Sequence, residues 1–160
     1  MAISRGYRFP IEFKDAFPQG LVQMGEIGPA IKYNPDRNAV PEQEFDFDPK
    51  NPEVGTQQPM WKVTVSDPNQ DKAKRASFEV IFLAPVQPVP VNEELVPGTG
   101  MRMIELEGLT AEPKMMGQAP YQYLGYVFRA TGIKGDTSGA KQPPADVSAS
   151  RPARDGKAVA

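Results

Sequence analysis

Prolines and glycines, eighteen and fourteen of them, stand between the apolar runs of this chain and are not gathered in one block. Proline fixes φ and lacks a donor, and glycine frees the backbone. Their spacing therefore writes short extended segments joined by turns and leaves little room for long helices. One such interruption, LAPVQPVPVNEELVPGTG at 83–100, separates the apolar run FEVIF from the alternating run MRMIELEGL. At 160 residues, 39% of them hydrophobic, the chain supports one core and not two.

Five extended segments emerge. GLVQMGEIGPAIKYN, with Leu21, Ile27 and Ile31 among three glycines, reads as a long bent strand. MWKVTVSDP sets Trp61, Val63 and Val65 on one side and Lys62, Thr64 and Ser66 on the other, the period of a half-buried strand. ASFEVIFLAP is nearly all apolar, as expected of a central strand, and the turn DPNQDKAKR joins the two as a hairpin. RMIELEGLTA buries Ile104 and Leu106 against outward Met103, Glu105 and Glu107, EPKMMGQAP follows as a loop, and YQYLGYVFRATGI sets Leu124, Tyr126 and Phe128 on one face. The opening YRFPIEFKDAFP reads as an edge strand, because Pro10 cannot donate to a ladder.

The order of these segments predicts an all-β fold, a small five-stranded, partly open Greek-key barrel of the OB type with long loops. A β-sandwich or another small barrel fits the pattern nearly as well. Where an OB-fold places a helix, prolines 85, 88, 90 and 97 permit at most one helical turn, over VNEEL, so an extended crossover is expected. Residues 1–134 are assigned to the barrel domain. Residues 135–160 hold few apolar side chains and are assigned to a disordered tail.

Cysteine and histidine are both absent, which removes disulfides, thiolate nucleophiles, the usual zinc sites and imidazole catalysis. Neither a nucleophile elbow nor a phosphate-binding loop is present, since GEIGP lacks the Lys and Ser or Thr such a loop requires. A non-enzyme without cofactor or metal is expected. The N-terminal stretch has no signal-peptide core and no run is apolar enough to span a bilayer, so a cytoplasmic location without membrane contact is expected. A net charge of −2 requires any nucleic-acid contact to come from local patches.

Two such patches stand out. Lys72, Lys74 and Arg75 share the hairpin tip, where they can grip phosphates, although tips are commonly charged for solubility alone. Tyr121 and Tyr123 lie on the face opposite Leu124, together with Arg129, and aromatics beside a cation are what single-strand binders use for base stacking. Aromatics are also ordinary strand formers. The second patch requires Lys62 and Arg129 to flank the tyrosines on one surface. Glu44, Asp46 and Asp48 alternate on one face of an extended piece but lack the glycine and spacing of a calcium loop, so they read as a solvated acidic edge. PVQP at 85–88 matches a polyproline ligand pattern that a structural crossover explains as well, and Met115 and Met116 read as cover for a barrel end.

Four strings together resemble a known family. They are W-x-V-x-V-x-D-P from Trp61 to Pro68, F-x-V-x-F-L-A-P-V-Q-P-V-P from Phe78 to Pro90, P-G-T-x-x-x-x-I-E-L-E-G-L-T-A-E-P from Pro97 to Pro113, and Y-x-F-R-A-T-G-I from Tyr126 to Ile133. They are similar to the plasmid replication, integration and excision activators of actinomycete integrative conjugative elements. The resemblance covers about the middle half of the chain. It implies a role in switching on replication and excision of a mobile element and carries no site residues with it. Single-stranded DNA and a replication or recombination protein are the expected partners. The alternative is a β-rich protein-interaction module that recruits such a partner without contacting DNA.

Overall fold

The computed structural model describes residues 2–50 and 52–139. Their regular structure is almost entirely strand, in the order β1 (Phe9–Pro10), α1 (Phe13–Ala16), β2 (Leu21–Gln23), β3 (Gly28–Pro29), β4 (Met60–Ser66), α2 (Ala73–Ala76), β5 (Ser77–Leu83), β6 (Arg102–Ile104), β7 (Leu106–Glu107), β8 (Thr110–Met116), β9 (Tyr123–Ala130) and β10 (Gly132–Ile133). The main sheet runs β1-β8-β9-β5-β4-β2-β6, β3 lies beside β4, and β7 pairs with β10 separately. Every pair is antiparallel except β5 with β9, which run parallel through Val80–Phe128, Ile81–Arg129 and Phe82–Ala130.

The all-β expectation agrees with this architecture, but the five-strand count does not: ten short strands are present among the described residues. The ladder is an open path with β1 and β6 at its ends, not a shown closed barrel. The predicted long first strand is two pieces, β2 and β3, both laid on β4. Between them the backbone bends at Gly25, whose carbonyl accepts the Gln23 side-chain amide at 2.7 Å. The segment EPKMMGQAP is not a loop, since 112–116 continue β8 against β9. Pro113 is tolerated there because β1 covers only Thr110 and Ala111, leaving the rest of β8 an edge.

The β4–β5 hairpin forms as the alternation predicts, in full register from Met60–Leu83 to Ser66–Ser77. Val63, Val65, Val80 and Phe82 are buried at its centre. Each such side chain contributes about 1.5–3 kcal/mol over leaving it in water. Ile104, Leu106 and Ile133 close the core from the other end. Trp61 is half-buried and its indole N–H donates to the Ala84 carbonyl at 3.0 Å.

The opening segment is a strand only at Phe9–Pro10, and then turns helical. Phe13 and Phe17 are four residues apart, so one helical turn stacks them on the same side, with centroids 5.5 Å apart. Phe17, 4% exposed, then meets Phe128 at 5.0 Å and Phe78 at 5.8 Å. These aromatics join the N-terminal turn to β5 and β9.

The crossover at 84–101 is extended, and VNEEL forms no helical turn; Glu94 instead makes an isolated bridge with Arg102. Side chains pin it at intervals. Gln87 donates to the Ile27 carbonyl at 2.7 Å, and the Val89 amide donates to Asp136 at 3.0 Å. Asp136 is only 6% exposed, so the fold holds the chain two residues beyond the expected boundary at 134. The rest of the expected tail, 140–160, lies outside the described residues.

Candidate functional site

The β4–β5 hairpin tip ends in α2, and the β8–β9 hairpin ends at the turn 117–122. Because β9 lies directly beside β5, the two tips come together. Between them and β1 is a groove of about 620 Å³. It is lined by the buried Phe17 and half-buried Phe78 and Phe128, by Phe9 and Ile11 of the N-terminal segment, and by Tyr123, Leu124 and Tyr126 of β9. Leu124 and Tyr126 are 58% and 47% exposed, so the face shared with Phe128 runs out past the core into solvent. Only Phe128 of that trio packs against the core.

At the rim the two predicted patches meet. The Arg75 guanidinium lies 4.2 Å from the Tyr123 ring centroid, a cation–π contact. Lys74 lines the same groove, and Lys72 precedes α2 as an exposed cation. Tyr121 is 84% exposed in the turn that leads into β9. That turn depends on Gly117, whose φ is +84° and whose Cβ, if present, would stand 2.6 Å from the Tyr121 carbonyl oxygen.

Lys62 and Arg129 do not join this cluster. Lys62 is paired with Glu79 at 3.5 Å on β4 and β5. Arg129 shares the alternation face of Tyr123, but it is largely buried and its guanidinium donates to Glu112 at 3.2 Å. Burial, and next the nearby charge of Arg8, lower the Arg129 pKa. The second patch requires Lys62 and Arg129 beside the tyrosines; both charges are instead engaged by carboxylates, Glu79 and Glu112.

The acidic triad is also redistributed. Asp46 is 5% exposed and accepts both Arg8 terminal nitrogens, each at 2.7 Å, as well as the Thr56 amide and hydroxyl at 2.8 Å. Desolvation pushes this carboxyl up, but the hydrogen bonds from Arg8 and Thr56 and the Arg8 charge together leave it below the usual carboxylate range. The hydrogen bond to Asp46 in turn raises Arg8. Asp46 is therefore no part of a solvated edge, and Asp48 accepts from the Lys50 amide instead. Among the described residues no three acidic side chains gather as a metal site.

PVQP is bound into the crossover: Pro88 is fully buried and Gln87 is engaged with Ile27. Met115 and Met116 belong to β8 and not to a loop tip. Sequence reasoning missed Phe9, Ile11, Leu124 and Tyr126 as groove-lining residues. The available signal was YQYLGY, which carries large apolar side chains on both faces of one strand and so exceeds what a single core face can bury.

No helix among the described residues is long and apolar enough to cross a membrane. Comparison of the chain with protein-family models, with curated proteins and with solved structures finds no match.

Proposed function

We propose that this protein is a non-enzymatic cytoplasmic accessory factor in replication or excision of a mobile genetic element, and that its groove holds a single-stranded DNA segment. The observation that carries the reading is the meeting of the two hairpin tips, with Arg75 over Tyr123 at the rim of an aromatic groove. A base stacked on Tyr126 or Tyr121 would gain about 1–3 kcal/mol, and Lys72, Lys74 and Arg75 would take the phosphates.

The strand pairing supports an OB-like arrangement. With β2–β3 as one bent strand and β6–β8 as another, the chain pairs first with second, second with third, third in parallel with fifth, fifth with fourth, and fourth with first. Barrels of this type bind oligonucleotides. The resemblance to replication and excision activators supplies the biological setting.

Titration of a labelled oligothymidine at two salt concentrations tests the reading. Binding that weakens with salt and is lost in Tyr121→Ala with Tyr123→Ala is the expected result. No binding at low salt sinks it. The exposed Leu124 and Tyr126 would then favour the alternative, a protein-interaction module that recruits a replication or recombination partner.

A further inference from the structure

Guanidinium groups in this fold are held in two ways. Arg8, Arg102 and Arg129 are paired with the carboxylates of Asp46, Glu94 and Glu112 at 2.7, 3.1 and 3.2 Å. Arg75 has no carboxylate within ion-pair distance among the described residues, and lies instead 4.2 Å from the centroid of the Tyr123 ring. The two arrangements leave different chemistry behind. A carboxylate takes the N–H donors and cancels the charge, whereas a ring takes only the planar face and leaves the N–H edge and the charge for another anion.

Little within its own hairpin fixes this cation. The α2 turn is four residues long, too short to be stable alone, and has no side-chain cap and no buried residue. Its Arg75 amide donates to the Lys72 carbonyl at 2.8 Å, a bond local to the tip. The ring is better anchored. Tyr123 pairs with Met116 in the β8–β9 ladder, and a Cβ at Gly117 would stand 3.5 Å from two of the ring carbons. Bordered by that glycine and by Arg75, Tyr123 is 36% exposed, less than either Tyr121 or Tyr126.

We propose that Tyr123 is a positioning residue and not a stacking platform: its ring seats Arg75 across the two hairpin tips, so that the guanidinium edge receives the two non-bridging oxygens of one backbone phosphate. The inference rests on the nucleic-acid reading of the groove. It assigns base stacking to Tyr121 and Tyr126 and one phosphodiester to Arg75. A lysine at 75 would supply the charge without the planar, two-pronged edge.

A double-mutant cycle on the full chain, read by titration of labelled oligothymidine, provides the test. Tyr123→Leu is expected to weaken binding about two- to fivefold, the range of an exposed cation–π contact, and to have no further effect in the Arg75→Ala background. Tyr123→Phe, which keeps the ring, should bind as the parent does, and Arg75→Lys should keep the salt slope but lose affinity. No loss in Tyr123→Leu, a loss that persists in full alongside Arg75→Ala, as base stacking on Tyr123 would give, or a Tyr123→Phe variant as weak as Tyr123→Leu overturns the inference. Arg75→Lys binding as tightly as the parent overturns the two-pronged contact. A second readout needs no nucleic acid: limited trypsin digestion followed by mass should show faster cleavage after Arg75 in Tyr123→Leu than in the parent or Tyr123→Phe, with circular dichroism unchanged. Equal rates overturn the seat. A parent chain that binds no oligonucleotide, with faster cleavage in Tyr123→Leu, defeats the nucleic-acid reading and leaves the seat standing without its ligand. Binding with an additive cycle defeats only this inference.

Discussion

Arg8 and Asp46, thirty-eight residues apart in sequence, form a two-pronged ion pair with both N–O distances at 2.7 Å. The pair ties the N-terminal strand to the long 34–59 connection and turns the neighbouring aromatics outward on each side: Tyr7 and Phe9 at one end, Phe45 and Phe47 at the other. One buried contact thus leaves aromatic side chains exposed on both of the segments it joins.

Removing the anion leaves a largely buried guanidinium without its partner. Asp46→Asn is expected to cost about 3 kcal/mol or more at neutral pH, read as a lowered urea midpoint. A loss under about 0.5 kcal/mol, the usual range for a surface change, would show that the pair is not buried in solution.

The same pair fixes a pH dependence. The folded carboxyl of Asp46 titrates below its unfolded value, so its contribution is present above about pH 4 and disappears as pH falls through the lower folded value. Urea midpoints between neutral pH and pH 2 should therefore fall faster for the parent chain than for Asp46→Asn, and the two curves should converge in acid. Parallel curves would contradict the assignment.

Phe17 connects α1 to β5 and β9 through three ring contacts. Phe17→Ala should cost about 3–5 kcal/mol by chemical denaturation, the usual range for an emptied aromatic site. It should also weaken oligonucleotide binding, because Phe17 lines the groove.

Single-strand binding through Lys72, Lys74 and Arg75 sets a salt slope of about −2 in log K against log salt, and Arg75→Ala should flatten it by about 0.7. Arg129→Gln should leave the slope unchanged, since that charge already belongs to Glu112. An unchanged slope in Arg75→Ala would place the phosphates elsewhere.

Gly117→Ala forces a side chain into positive φ and against the Tyr121 carbonyl. A cost of about 1–3 kcal/mol is expected from the strain. Thermal unfolding and oligonucleotide titration should fall together, because the same turn positions Tyr121 and Tyr123.

The strands with clean alternation were legible. Val63 and Val65, and Ile104 and Leu106, are inside as their period requires. What failed was local pattern overridden by long-range partners. Nothing in FDF announces that Arg8 will draw Asp46 inward, because the pair is set by tertiary approach. Pro113 reads as a loop residue until the edge position of β8 is known. Likewise Arg129 lies on the expected face, yet its cross-strand partner Glu112 decides whether it is available. The meeting of the Lys72–Arg75 tip with Tyr123 follows from the parallel β5–β9 pair, which no spacing within either hairpin encodes.

The parallel β5–β9 junction also bears on how the chain is made. Until Ala130 has left the ribosome, the β5 flank of the β4–β5 ribbon has no neighbour to receive it, so this part of the sheet can be assembled only after the whole stretch from 84 to 130 has been made. Fragments halted before Tyr123 would offer that flank to chaperones, proteases or one another.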